Sequence, residues 1–436
     1  MSADLESIVT QIPGPQSRAL ADDLARTESR GVTYLASDFP VFWESGSGAL
    51  VRDVDGNTFI DCTAAFGVAT TGHANPAVAR AIAAQAERLP HGMGDVHPTA
   101  VKTRLLERLA DVAPVDDPKT FLCGSGAESV EFALKTAALL TGEPNVLAFG
   151  GAYHGLSYGA LEVCGIPKFR KPWNAQLRAG TRFAKFPDPR EPKSSAKTIA
   201  AVRKTLRRDR TVGAVIVEPI QGRAGVIVPP EGFLHDLRAV CSETDTVLIV
   251  DEIYTGLGRT GRSFACDYED VRPDILCIGK ALGGGFPISA AILSGEVGAA
   301  WKPSDGEALH TATFLGNPMG CAAALANLAE IERLEIARIS HERAPAIAER
   351  FHAMQRRNPS IRDVRGRGML WALEFADGAR ANAYVVNALA RGLILLQSGL
   401  RGESITFAPP PVIEDAQLER AFDLFESVLR EAMVAA

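Results

Sequence analysis

The chain predicts an α/β fold, with a large domain on a mostly parallel sheet and a smaller α+β domain, and three observations carry that prediction. Between about residue 61 and residue 318, short apolar runs alternate with helical patterns, as in a parallel sheet crossed by helices. Two of those runs, Val247-Leu248-Ile249-Val250 and Ile275-Leu276-Cys277-Ile278, are apolar throughout, as strands buried on both faces are. The first leads directly to Asp251 and the second, through Gly279, to Lys280. Finally, 436 residues exceed what one hydrophobic core accommodates, so the chain divides in two.

The elements follow in order. Residues 1–60 hold a polar helix, Ser17 to Ser29, and a hairpin around Gly46-Ser47-Gly48 and Asp55-Gly56-Asn57, whose residue types suit tight turns. This segment is assigned to the small domain. The large domain, residues 61–318, contains a strand–turn–helix at Phe121-Leu122-Cys123-Gly124-Ser125-Gly126-Ala127-Glu128-Ser129 and a strand from Val146 to Phe149. A surface linker, Asp188-Pro189-Arg190-Glu191-Pro192-Lys193-Ser194-Ser195, interrupts it before the two apolar strands. From Asn317 a long alanine- and leucine-rich helical pattern leaves this domain. Residues 319–436 then complete the small domain, with strands at Met369 to Phe375 and Leu393 to Gln397 and a last helix from Glu414 to Met433.

Composition excludes several classes. A net charge of −6 leaves no basic footprint for nucleic acid, and the run from Arg203 to Arg210, broken by Asp209, reads as an exposed helix face. No stretch approaches the ~20 apolar residues of a membrane span. Seven cysteines without a C-x-x-C pair point to reduced thiols, and eight histidines show no metal-ligand spacing. Met1-Ser2-Ala3-Asp4-Leu5-Glu6 is acidic and lacks the apolar core of a signal peptide, so the expected location is the cytoplasm.

An acid and an amine at one sheet edge set the chemistry, because open α/β sheets bind ligands at the carboxyl ends of their strands. Pyridoxal phosphate needs such a pair: a lysine to form a Schiff base, and an aspartate to keep the pyridine nitrogen protonated. Taken singly, Asp251 reads as a helix cap and Lys280 as a solvated cation. The context favours the pair. Only eleven of the forty-six basic residues are lysines, and Lys280 lies between an apolar strand and Gly283-Gly284-Gly285. Burial there would lower its pKa toward the free amine.

Two further stretches fit the same cofactor. The helix that begins after Gly124-Ser125-Gly126 offers free N–H groups and a positive dipole end to a phosphate, and Ser125 adds a hydroxyl. A plain tight turn reads equally well, and no Gly-Lys-Ser/Thr follows to make a nucleotide P-loop. In Phe149-Gly150-Gly151-Ala152-Tyr153-His154-Gly155, Tyr153 stands just past a strand, where it would stack on a flat ring or simply pack on the core.

With these motifs in this order, the chain resembles the class III, or omega-amino acid, pyridoxal-phosphate-dependent aminotransferases. The likeness runs from Asp53-Val54-Asp55-Gly56-Asn57 and Gly72-His73-Ala74-Asn75-Pro76 to Ala408-Pro409-Pro410. It implies the aspartate aminotransferase-like fold (fold type I), a pyridoxal 5'-phosphate cofactor and a homodimer with shared active sites. By the same resemblance Lys280 would carry the Schiff base and shuttle protons, and Asp251 would pair with the pyridinium nitrogen. Tyr153 and Ile253 would cover the two ring faces, while Ser125, Gly126 and Ala127 bind the phosphate. Thr313, in His310-Thr311-Ala312-Thr313-Phe314, would reach the phosphate of the neighbouring subunit. His154, and Glu218 in Val217-Glu218-Pro219-Ile220-Gln221, would complete the cofactor's surroundings.

Departures from the family pattern bear on the substrate and on the cofactor. Arg223 replaces the second glutamate of Glu-Pro-x-Gln-Gly-Glu-Gly-Gly, and Thr406 replaces that glutamate's usual arginine partner before Phe407-Ala408-Pro409-Pro410. Arg223 would then bind a substrate carboxylate or turn to solvent. Asp95 and His97, in Gly92-Met93-Gly94-Asp95-Val96-His97-Pro98, stand where relatives place aromatics near the substrate entrance. Tyr254 replaces a glutamine, which leaves open what bonds the cofactor's phenolic oxygen. The expected reaction is ping-pong transamination between an amino acid or amine and a 2-oxo acid. The same apparatus supports an amino-acid racemase, epimerase or aminomutase, and a non-catalytic cofactor-binding protein is the remotest reading.

Overall fold

The computed structural model describes residues 5–434. Its central sheet has seven strands, in the order Lys119–Cys123, Ser289–Leu293, Ile275–Ile278, Val247–Asp251, Val212–Val217, Asn145–Phe149 and Thr181–Ala184. Ser289–Leu293 runs antiparallel to both neighbours, and the pairings from Ile275–Ile278 onward are parallel. Every residue of Val212–Val217, Val247–Asp251 and Ile275–Ile278 is buried, because helices cover both faces. Leu248, Val250, Leu276 and Ile278 pack toward the helices Ala100–Val112, Ser194–Arg208 and Phe233–Glu243. Val247, Ile249, Ile275 and Cys277 face the helix Gly126–Thr141 on the other side. That alternation is the period of two a strand imposes.

A second core gathers Ala49, Ile60 and Cys62 with Ile347, Phe351, Leu373, Phe407, Phe422 and Phe425. Its antiparallel sheet runs Asp363–Arg367, Leu370–Glu374, Ser404–Phe407, Leu396–Ser398. Beside it, Trp43–Ser47, Leu50–Asp53 and Thr58–Asp61 form an antiparallel meander, and Thr58–Asp61 pairs in parallel with Leu393–Ile394. The beginning of the chain is thus stitched to its last quarter.

Several elements differ in detail from the sequence expectation. The first helix is Pro15–Thr27, since Pro15 suits a first helical turn and the Asp55 carboxylate receives the N–H groups of Gln16 and Ser17. The long helix after Asn317 is two helices, Pro318–Arg333 and Ile336–Arg357, broken where Glu335 adopts φ +50°. The run from Leu393 to Gln397 is also divided, its first two residues pairing with the meander and Leu396–Ser398 with Ser404–Phe407. Asp363–Arg367 was not anticipated as a strand; its charged residues and glycine hide the pattern. The last helix is Asp415–Val434. Among the described residues no helix is long and apolar enough to cross a membrane.

Candidate active site

The loops that leave the carboxyl ends of the central strands converge on one place. Asp251, the last residue of its strand, is buried, and its Oδ2 lies 2.7 Å from Nδ1 of His154. A carboxylate only accepts, so the imidazole donates there. Oδ1 accepts the N–H of Ile253 at 3.0 Å. Nε2 of His154 is buried without a partner among the described residues. Glu218, just past Val212–Val217, is also buried; its Oε1 and Oε2 accept the N–H groups of Tyr153 and Gly222 at 2.8 and 3.1 Å. Burial pushes its pKa up to about 7, with Asp251 pushing the same way and His154 and the two backbone donors opposing.

Lys280 opens a 3-10 turn after Ile275–Ile278, with φ +40°, a left-handed conformation that an L-residue holds at a cost. The next glycines and a buried asparagine hold that turn. Asn327 reaches from the helix Pro318–Arg333 to donate to the carbonyl of Ala281, and its own Oδ1 accepts from the Thr71 hydroxyl at 2.6 Å. Burial lowers the pKa of Lys280, while the negative charges of Asp251 and Glu218 work against it. Its Nζ stands 4.3 Å from the centroid of the Tyr254 ring.

Ser125 caps the helix Gly126–Thr141, its Oγ accepting the N–H of Glu128 at 3.3 Å. Ser289 ties the Ser125 carbonyl at 2.5 Å, joining the reversed strand to this helix start. Ile253 packs so tightly on Gly126 that a Cβ there would stand 2.7 Å from its Cδ1. Gly126 therefore brings backbone and Ile253 together where a larger residue would part them. Tyr153 is half-buried, its ring edge-on to Phe169 at 5.6 Å. Burial raises its pKa, Cys164 and Glu218 add to the rise, and Arg223 counters it.

The remaining sequence-predicted residues lie further out. Arg223 is exposed; its Nη1 donates to the Gln397 carbonyl at 3.3 Å, and its charge is felt at Tyr153. Thr406 is buried, and its hydroxyl pairs with Ser398 at 2.7 Å. Asp95, His97 and Thr313 are exposed, and Asp95 accepts from the Thr311 hydroxyl at 2.6 Å, joining the two loops that carry them. Asn327 and Ser289 were not anticipated. A buried asparagine inside an alanine-rich helix was the one available signal for Asn327; nothing local marks Ser289.

An amine with a depressed pKa, a buried carboxylate, an orphaned imidazole nitrogen and an open helix N-terminus suit a flat, phosphorylated, electron-accepting cofactor. Comparison with known proteins agrees. Residues 34–429 match the family model described as aminotransferase class-III. The acetylornithine aminotransferase of Methanopyrus kandleri is 40% identical over 401 residues, 90% of this chain and 95% of that one. The ornithine aminotransferase of Toxoplasma gondii superposes with a TM-score of 0.87 at 28% identity, over 96% of each chain. An aminotransferase of Vibrio fluvialis in its PMP-bound form superposes with a TM-score of 0.88 at 26% identity, over 94% of this chain and 97% of its own. The chain belongs to the class III aminotransferases. Its fold is fold type I, its cofactor pyridoxal phosphate and its reaction transamination.

Proposed function

We propose that Lys280 is the lysine that bonds the cofactor and that Asp251, oriented by His154, faces the ring nitrogen. In the same reading Tyr153 and Ile253 flank the ring and Ser125, Gly126 and Ala127 hold the phosphate. One observation carries it: a desolvated amine and a buried His-tethered carboxylate stand at the ends of adjacent strands, Ile275–Ile278 and Val247–Asp251. The cofactor supplies an electron sink for the substrate carbanion. Lys280, its amine easily freed, moves a proton to and from the substrate carbon as general base and acid. Asp251 keeps a negative charge where positive charge on the ring nitrogen needs it, and the His154 N–H holds it in place. Glu218 positions the Tyr153 and Gly222 backbone.

The donor in this reading is an amino acid whose reacting amine lies away from its carboxylate, as in the named substrate of the acetylornithine aminotransferase relative. Arg223 would bind that carboxylate. One of its N–H groups is spent on Gln397, leaving part of the planar fork for an anion. Thr406, turned to Ser398, brings no second charge there. Asp95, His97 and Thr313 belong to the second subunit's site in a homodimer, whose two-fold axis would make the exchange reciprocal. Exposed Met93, Val96, Leu309 and Phe314 on the same loops support such a covered face. The reading also keeps the described residues of 1–60 and 319–436 in the small domain and residues 61–318 in the large one; residues 1–4 and 435–436 lie outside the described residues. Seven unpaired, buried cysteines suit a reducing cytoplasm.

The test is reduction of the holoenzyme with borohydride followed by peptide mapping. A pyridoxyl group on Lys280 is the expected result, and one on any other lysine overturns the assignment. Acetylornithine with a 2-oxo acid should yield net amine transfer; no transfer from acetylornithine by a holoenzyme that turns over another amine would overturn the donor reading.

A further inference from the structure

The Tyr254 ring lies under the amine of Lys280. The distance of 4.3 Å from the Lys280 Nζ to the ring centroid lies well inside the ~6 Å within which a cation is drawn to an aromatic face. The ring is held in that position from both sides. A Cβ on Gly67 or on Gly222 would collide with opposite edges of it, so the two glycines form a slot one ring wide. Gly222 is itself fixed by its hydrogen bond to Glu218. The Tyr254 hydroxyl is buried without a hydrogen-bond partner among the described residues, and its charged neighbours are Arg259 and Asp61 rather than Lys280. Contact with the amine is therefore made by the ring face, not the oxygen.

We propose that Tyr254 is a positioning residue for Lys280, its ring face serving as the resting place of the lysine ammonium whenever that amine is not bonded to the cofactor. A hydrogen-bond acceptor at this point would compete for the proton that Lys280 must deliver. A π face attracts the charge without directing a particular N–H, so the proton stays available and the amine stays near the site. The groups facing Lys280 are then Asp251 and Glu218, both favouring the ammonium, with the Tyr254 ring adding to them. Burial is the opposing influence. This inference rests on the reading of Lys280 as the cofactor's lysine.

The experiment reads Lys280 itself in cofactor-free protein. Trace acetic anhydride is applied across pH, and the acetylated Lys280 peptide is quantified by mass spectrometry to give the amine's pKa. Tyr254→Leu should lower that pKa by about half a unit to one and a half units. At neutral pH that means labelling faster by roughly three- to thirtyfold. Tyr254→Phe keeps the ring and should match the parent. If the leucine variant does not fold, pentafluorophenylalanine at position 254 decides the matter, since it preserves the ring while removing its negative face. It should behave like leucine. An unchanged pKa in the leucine or fluorinated protein overturns the inference. A shift in Tyr254→Phe equal to that in Tyr254→Leu also overturns it, because the hydroxyl would then be responsible. A Lys280 that carries the borohydride label but shows no shift refutes this inference alone. A Lys280 that never takes the label refutes the assignment beneath it.

Discussion

Glu218→Gln should make the cofactor-free protein more stable above neutral pH while leaving it nearly unchanged in mild acid. Glu218 is buried with a pKa raised to about 7 from an ordinary value of 4.5, chiefly by desolvation. Its folded-state pKa therefore exceeds its unfolded one, and the folded protein binds more protons between those values. By linkage, stability is fully present below about 4.5 and is lost as pH rises through about 7. Two and a half units at 1.36 kcal/mol each make that loss about 3 kcal/mol. Glutamine imitates the protonated carboxyl, offering one acceptor to the Tyr153 and Gly222 N–H groups, and has no proton to lose. Near pH 5 the two proteins should melt together. Near pH 8 the variant should be ahead by about 3 kcal/mol, or roughly 3 °C in Tm for a chain this long. Glu252, also buried and raised to about 7, titrates in the same window in both proteins and cancels in the difference. Thermal melts across pH 5 to 8 provide the assay. Parallel curves, or a variant less stable at pH 8, would refute the reasoning.

Three more outcomes follow from the proposed roles. Asp251→Asn should keep the fold and lower turnover by about 10⁴, by analogy with an aspartate that orients a catalytic imidazole; a loss under about tenfold would remove its role. Arg223→Ala should raise KM for carboxylate-bearing donors far more than for simple amines, with kcat for the latter little changed. Equal effects on both donor types would place Arg223 outside the site. Sedimentation of the holoenzyme should give a dimer of the 46.4 kDa chain, and fully active monomers would sink the sharing of Thr313 across an interface.

What was legible in the sequence was whatever a local pattern forces. A short all-apolar run within a strand–helix alternation reads as a strand covered on both faces, so Val247–Val250 and Ile275–Ile278 announced the parallel sheet, and the charged residues after them fall at its edge. The helix after Gly124-Ser125 was readable from its glycines and its helical period. Less readable was whatever depends on distant partners. The run Leu393 to Gln397 belongs to two sheets, and no local signal tells which residue changes partners. Tyr254 could be seen as unlike its counterparts, but its ring contact with Lys280 depends on a slot between Gly67 and Gly222, far apart in the chain. Asn327 acts on the lysine turn from a helix more than forty residues away.

The same dependence explains how the segment after Asp251 is held in place. Arg259 is almost fully buried, and no carboxylate hydrogen-bonds it among the described residues. Its Nη1 lies 2.6 Å from the Pro409 carbonyl, with those of Met369 and Ala408 at 3.3 and 3.4 Å, and its Nη2 donates to the Thr70 hydroxyl at 3.3 Å. Desolvation lowers its pKa to about 10, still high enough to keep the guanidinium charged near neutral pH. Carbonyl dipoles, together with the charge of nearby Asp61, hold the guanidinium, which ties this loop to the Ala408-Pro409-Pro410 stretch beside the second core. Deleting the guanidinium would strand those carbonyls, and buried acceptors without donors cost about 1–3 kcal/mol each. The loop carrying Ile253 and Tyr254 is therefore anchored at Asp251 by His154 and at Arg259 by the backbone of Met369, Ala408 and Pro409. Two side chains, Ile253 against Gly126 and Tyr254 against Lys280, are thus carried between those two anchors.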